Sequence, residues 1–84
     1  MTNPNGKATD ALVRKNVDRY EAMLMSGRKE YFDEDDLLDV ADYYYNDMSR
    51  KESALQCLDY ALSLHPGCMM ATLMKAEIIF YAGK

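Results

Sequence analysis

The stretch from Leu37 to Pro66 constrains the fold more than any other part of the chain. It reads LLDVADYYYNDMSRKESALQCLDYALSLHP. Leu37, Val40, Ala41 and Tyr44 recur at the spacing that places them on one face of a helix. A polar break follows at Asn46–Ser49. A second helical pattern then carries Ala54, Leu55, Leu58, Ala61 and Leu62 on its apolar side, and Pro66-Gly67 stops it. Two amphipathic helices joined by a short turn must pack on each other, because neither can bury its stripe alone.

The flanking segments extend the pattern. Residues 1–8 are polar and aperiodic and read as a disordered N-terminal tail. Residues 9–84 read as a single helical domain. Thr9 or Asp10 is a candidate cap for a lead-in helix over 10–26, with Leu12, Val13, Val17, Tyr20, Met23 and Leu24 as its stripe. Gly27 is a natural stop, and Arg28 and Lys29 suit the negative end of that helix. Tyr31 and Phe32 are expected to tuck under the helices.

Asp33 is a candidate cap for the helix over about 34–46, with Glu34, Asp35 and Asp36 in its favourable first turn. Ser49 and Glu52 have the spacing of a capping box for the helix over about 50–65. A fourth helix is expected from about Met69 to Ala82, with Leu73, Ala76, Ile79 and Phe80 on its apolar side and Gly83 as its cap. The reading is therefore an all-α fold of about four helices.

Charge narrows the function. The net charge is −4, which argues against nucleic acid and anionic membranes as partners. Residues 1–29 carry six basic and three acidic side chains, and residues 30–47 carry eight acidic ones and no basic one. No run approaches the ~18 apolar residues of a membrane span. Cys57 and Cys68 form no disulfide framework. A cytoplasmic setting is the expectation.

No catalytic constellation emerges. His65, Cys57 and Cys68 are too few and too irregularly spaced for a structural zinc site, which takes four ligands. In the D-E-D-D run, Leu37 and Leu38 fall where a calcium loop needs oxygen ligands and a glycine. Cys57 has no nameable base beside it. An enzyme is not expected, nor a cofactor or a metal.

The 34–66 stretch resembles a tetratricopeptide repeat. Leu37, Val40, Ala41 and Tyr44 match the first half of that family's signature, and Ala54, Leu58, Ala61 and Pro66 match the second. Tyr44 to Ala54 is one residue longer than usual, which places an insertion in the Asn46–Ser49 turn. Using Tyr45 instead would restore the spacing but would put Asp42 at the small buried position, and burying an unpaired carboxylate is costly. Residues 67–84 read as half of a second copy, with Thr72, Lys75, Ala76 and Ile79 at the offsets of Leu37, Val40, Ala41 and Tyr44.

The resemblance implies an antiparallel helix-hairpin array that serves as a protein–protein interaction module. Its concave groove would take a peptide or helix of a partner. The groove side would comprise Asp35, Leu38, Asp42, Tyr45, Met70, Leu73, Glu77, Phe80 and Tyr81. Such a wall suits a ligand with basic and apolar residues. The family's clamp for acidic C-terminal tails is not expected, because Leu38 and Asp42 occupy its positions.

The alternative is a structural or oligomerisation segment whose groove and open end are filled by a second copy. Self-association would run through the last helix, with Met70, Leu73, Met74, Ile78, Ile79, Phe80 and Tyr81. A third reading is a regulatory fragment of a larger enzyme or secretion protein.

Overall fold

A computed structural model describes residues 10–82, with side chains through Tyr81. The expectations for the tail at 1–8, for Thr9 as a cap and for Gly83 lie outside the described residues. The fold is all-α. Helix α1 spans Asp10–Ser26, α2 Glu34–Asp42, α3 Lys51–Leu64 and α4 Met69–Ala82, and a π-helical turn, Tyr43–Asp47, continues α2.

Successive helices pack together: α1 on α2, α2 on α3 and α3 on α4. Alternate helices meet only weakly, so shallow hollows open between α1 and α3 on one side and between α2 and α4 on the other. The core is continuous along this zigzag. Leu37, Val40 and Ala41 of α2 and Ala54, Leu58 and Ala61 of α3 are fully buried. Removing a side chain the size of Leu or Val from water stabilises a fold by about 1.5–3 kcal/mol. The small Ala41, Ala54 and Ala61 let the α2 and α3 backbones approach closely.

Helix α1 meets this hairpin with Val17, Tyr20 and Met23. Leu24, expected on the same stripe, is half-exposed, because it lies at the edge of the α1–α3 hollow. Asn16 is buried as well, and its amide donates to Asp36 of α2 at 3.2 Å. Gly27 ends the helix in the left-handed conformation, φ +74°, and its N–H reaches Met23 O at 3.0 Å.

The connection to α2 splits the expected pair. Phe32 is buried, with the Arg19 guanidinium 4.2 Å from its ring centre, whereas Tyr31 is exposed. Asp33 takes the cap position with extended backbone angles. Its carbonyl accepts from Leu37 N–H at 3.2 Å, while its side chain makes no cap bond.

Where the resemblance implies an insertion at Asn46–Ser49, the chain has a π-helical turn that begins earlier, at Tyr43. Met48 N–H bonds to Tyr43 O at 3.1 Å, an i→i+5 closure, and Arg50 N–H bonds to Tyr44 O at 2.8 Å. The wider turn absorbs one residue, so Tyr44 stays buried and Asp42 stays outside. The expected capping box is not formed. Ser49 stands in the left-handed region at φ +54°, α3 is entered through Arg50, and no side-chain cap bond is made. Ser49 reverses the chain out of the π turn, the part glycine usually takes, so its side chain is not placed to cap the next helix.

Helix α4 departs furthest from expectation. Ala71 and Ile78 are buried and Met74 is partly buried, whereas Leu73, Ala76, Ile79 and Phe80 are exposed. Thr72, aligned with the buried Leu37, is exposed too. The reason is the number of neighbours. Helix α2 packs between α1 and α3, while α4 packs on α3. The face of α4 that corresponds to the side of α2 under α3 is uncovered among the described residues.

Candidate functional site

The π turn sends three consecutive tyrosines in three directions. Tyr43 turns toward α1, where Arg14 lies 5.9 Å from its ring centre. Tyr44 enters the core and donates its hydroxyl to a Glu21 carboxylate oxygen of α1 at 2.6 Å. Burial, reinforced by that carboxylate, pushes the Tyr44 phenol well above its ordinary range. Tyr45 turns into the hollow between α2 and α4.

That hollow has a volume of about 330 Å3 and is lined by Asp42, Tyr45, Asn46, Met74, Glu77, Ile78 and Tyr81. Met74 and Ile78 form an apolar floor. Asp42 and Glu77 place a carboxylate on each wall, and Tyr45 and Tyr81 place a phenol ring on each wall. Asn46 donates to Asp42 Oδ1 at 2.5 Å, which holds that carboxylate in place. Among the described residues no lysine or arginine lines the hollow. A segment that presents an apolar side chain to the floor and a cation to the walls would satisfy both.

Four of the nine residues expected on a concave groove converge here: Asp42, Tyr45, Glu77 and Tyr81. The other five do not line it. Asp35 is exposed in the first turn of α2, and Leu38 is partly buried against the core. Met70, Leu73 and Phe80 are exposed on α4 outside the hollow. Asn46, Met74 and Ile78 were not anticipated as lining. Asn46 joins through the π turn, whose direction helical spacing does not reveal, although its i, i+4 relation to Asp42 is visible in the sequence.

The α1–α3 hollow is larger, about 410 Å3, and includes Tyr20, Met23, Arg28, Lys29, Asp59 and Tyr60 among its lining. Much of its polar equipment is used within the molecule. Asp59 pairs with Lys75 at 2.6 Å, Lys29 sits 5.5 Å from the Tyr60 ring centre, and the Tyr60 hydroxyl donates to Glu30 O. Size alone therefore does not make it the better site, and the α2–α4 hollow has the more uniform chemistry.

Other reactive groups have structural partners. His65 Nε2 lies 2.8 Å from Phe32 O and pins the α1–α2 connection to the end of α3. Cys57 is buried, and its thiol donates to Leu37 O at 3.4 Å. Burial pushes that thiol up to about 12, the reverse of what nucleophilic chemistry needs. Tyr20 is buried with no hydrogen-bond partner for its hydroxyl, and its ring meets those of Phe32, Tyr44 and Tyr60. Burial, with smaller contributions from Cys57 and Tyr60, raises its pKa. The Tyr20 hydroxyl lies near the Cys57 thiol, which gives its own hydrogen to Leu37 O, without reaching hydrogen-bond geometry with it.

Among the described residues no group of three or more His, Cys, Asp or Glu side chains is placed to hold a metal ion. No described helix is long and apolar enough to cross a membrane. Comparisons of the chain with family models, with curated proteins and with solved structures gave no match in any of the three.

Proposed function

We propose that this chain is a protein–protein interaction module of tetratricopeptide-like build, which takes a basic and apolar segment of a partner in the α2–α4 hollow. One observation carries the reading: Asp42, Tyr45, Glu77 and Tyr81, from two helices far apart in sequence, converge on one hollow with an apolar floor. The packing of each helix on the next and the buried Leu37, Val40, Ala41, Tyr44, Ala54, Leu58 and Ala61 support the tetratricopeptide-like build. Aromatic anchors beside carboxylates favour cationic side chains, which lose affinity when the carboxylates are reversed.

A peptide array probed with the intact chain and with Asp42→Lys tests this. Asp42 is exposed, so its replacement leaves the fold intact. The expected outcome is selective loss of basic-apolar peptides by the variant. Equal binding of those peptides by both proteins would count against the hollow as the site. The alternative, assembly with a second copy, is favoured by a separate surface, the outward face of α4.

A further inference from the structure

Helix α4 is apolar on two opposite sides. Ala71 and Ile78, seven residues apart, face the chain's own core. On the other side, Met69, Leu73, Ala76 and Phe80 recur at spacings of four, three and four, the a/d alternation of a coiled-coil seam. All four are exposed, Met69 at 76% and Leu73 at 53%. Met70 and Ile79 flank the seam and are exposed as well. A helix with apolar residues all round belongs between two packing layers, and α3 supplies one.

We infer that the second layer is the α4 seam of another copy of this chain, paired about a twofold axis. Three observations favour that occupant. First, the seam carries no charge. Lys75 is drawn to Asp59 of α3 at 2.6 Å, and Glu77, seven residues after Met70, stands on the flank of the seam beside the α2–α4 hollow, so the a and d positions of a symmetric pair bring no charges together. The acidic surface of residues 30–47, by contrast, would repel its own copy.

Second, the area suffices. Met69, Met70, Leu73, Ile79 and Phe80 are each more than half exposed. With about 150–250 Å2 for an aromatic side chain and less for an aliphatic one, they leave at most on the order of 500 Å2 per copy to bury. A pair would then bury up to about 1,000 Å2, the size of a weak, reversible interface and well short of an obligate one. Third, Ala76 in the middle of the seam lets the two backbones approach. The pair is therefore a reversible, concentration-dependent dimer, and it does not depend on the hollow reading, since neither Leu73 nor Ala76 lines the hollow.

Sedimentation equilibrium of the whole chain under reducing conditions, from micromolar to near-millimolar, tests the inference. The expected result is a monomer–dimer equilibrium that Leu73→Glu and Ala76→Glu each weaken at least tenfold. Both positions are exposed, and far-UV circular dichroism confirms that the variants fold. Met25→Glu, at a position 90% exposed on α1, should leave the equilibrium unchanged. A chain that stays monomeric throughout leaves the seam to another segment or a different partner, and the inference is overturned. Self-association that both seam variants retain overturns it equally.

Discussion

Tyr20 and Tyr44 are both buried phenols, and their hydroxyls have opposite standing. Tyr44 donates to Glu21 at 2.6 Å, while Tyr20 finds no partner. A buried donor without an acceptor costs about 1–3 kcal/mol, and a satisfied one stabilises by about 1 kcal/mol. Tyr20→Phe is therefore expected to leave stability unchanged or raise it by about 1 kcal/mol, and Tyr44→Phe to lower it by about the same amount. Urea denaturation of the two variants checks the pair, and a Tyr20→Phe loss beyond about 1 kcal/mol would contradict the assignment.

The same buried groups set an alkaline limit. The Cys57 thiol is raised by burial from its ordinary 9.0 to about 12 in the fold, and both phenols are raised as well, again chiefly by burial. Between the unfolded and folded values the native chain holds more protons than the unfolded chain. This stabilisation is complete below the unfolded values and is lost as pH rises toward the folded ones. The urea midpoint should fall from about pH 9 upward, and Cys57→Ala should fall less steeply over the same interval. An equal slope in the two proteins would remove Cys57 from the account. Residues of this kind are only half legible in sequence. Cys57 could be placed beside the α3 stripe from spacing alone, but the orphaned Tyr20 hydroxyl depends on which three aromatic rings surround it.

At the scale of elements, the turn between α2 and α3 shows how a local count becomes geometry. The one-residue excess before Ala54 is visible in the sequence and asks for an insertion. The chain accommodates it as a π turn at Tyr43–Asp47 rather than as a longer loop. Hydrogen bonding explains the choice: buried backbone groups near Tyr44 must remain paired, and the wider turn pairs them through Met48 and Arg50. The cost appears at Ser49, whose φ of +54° is unfavourable for a residue with a Cβ. Ser49→Gly is expected to relieve this and to raise stability by up to about 1 kcal/mol, net of the entropy that glycine adds to the unfolded chain. A thermal melt checks it. A lower melting temperature would mean that the serine side chain contributes more than its backbone strain costs.

At the scale of the whole molecule, α2 and α3 make the most extensive helix–helix contact in the described fold. Ala41, Ala54 and Ala61 are fully buried where two backbones come together. Ala61→Leu should overpack that contact and lower stability by about 1–3 kcal/mol. The measurement is again the urea midpoint, with Ala76→Leu on the open face of α4 as a comparison that costs far less. If both substitutions were tolerated equally, Ala61 would not be a close-packing position.

What the sequence by itself determined is the set of elements and the inner side of the central hairpin. Helical spacing, the Gly27 stop and the Pro66-Gly67 stop are local signals, and Leu37, Val40, Ala41, Tyr44, Ala54, Leu58 and Ala61 contrast sharply with their polar neighbours. That contrast is absent from α4, where apolar residues occupy nearly every position, so no periodicity could say which side meets α3. Only the tertiary structure decided that Ala71, Met74 and Ile78 turn inward and that Leu73, Ala76 and Phe80 turn outward. The same holds for the hollow. Asp42 and Glu77 line it together because α2 and α4 both pack on α3, a relation between helices that the order of residues does not express.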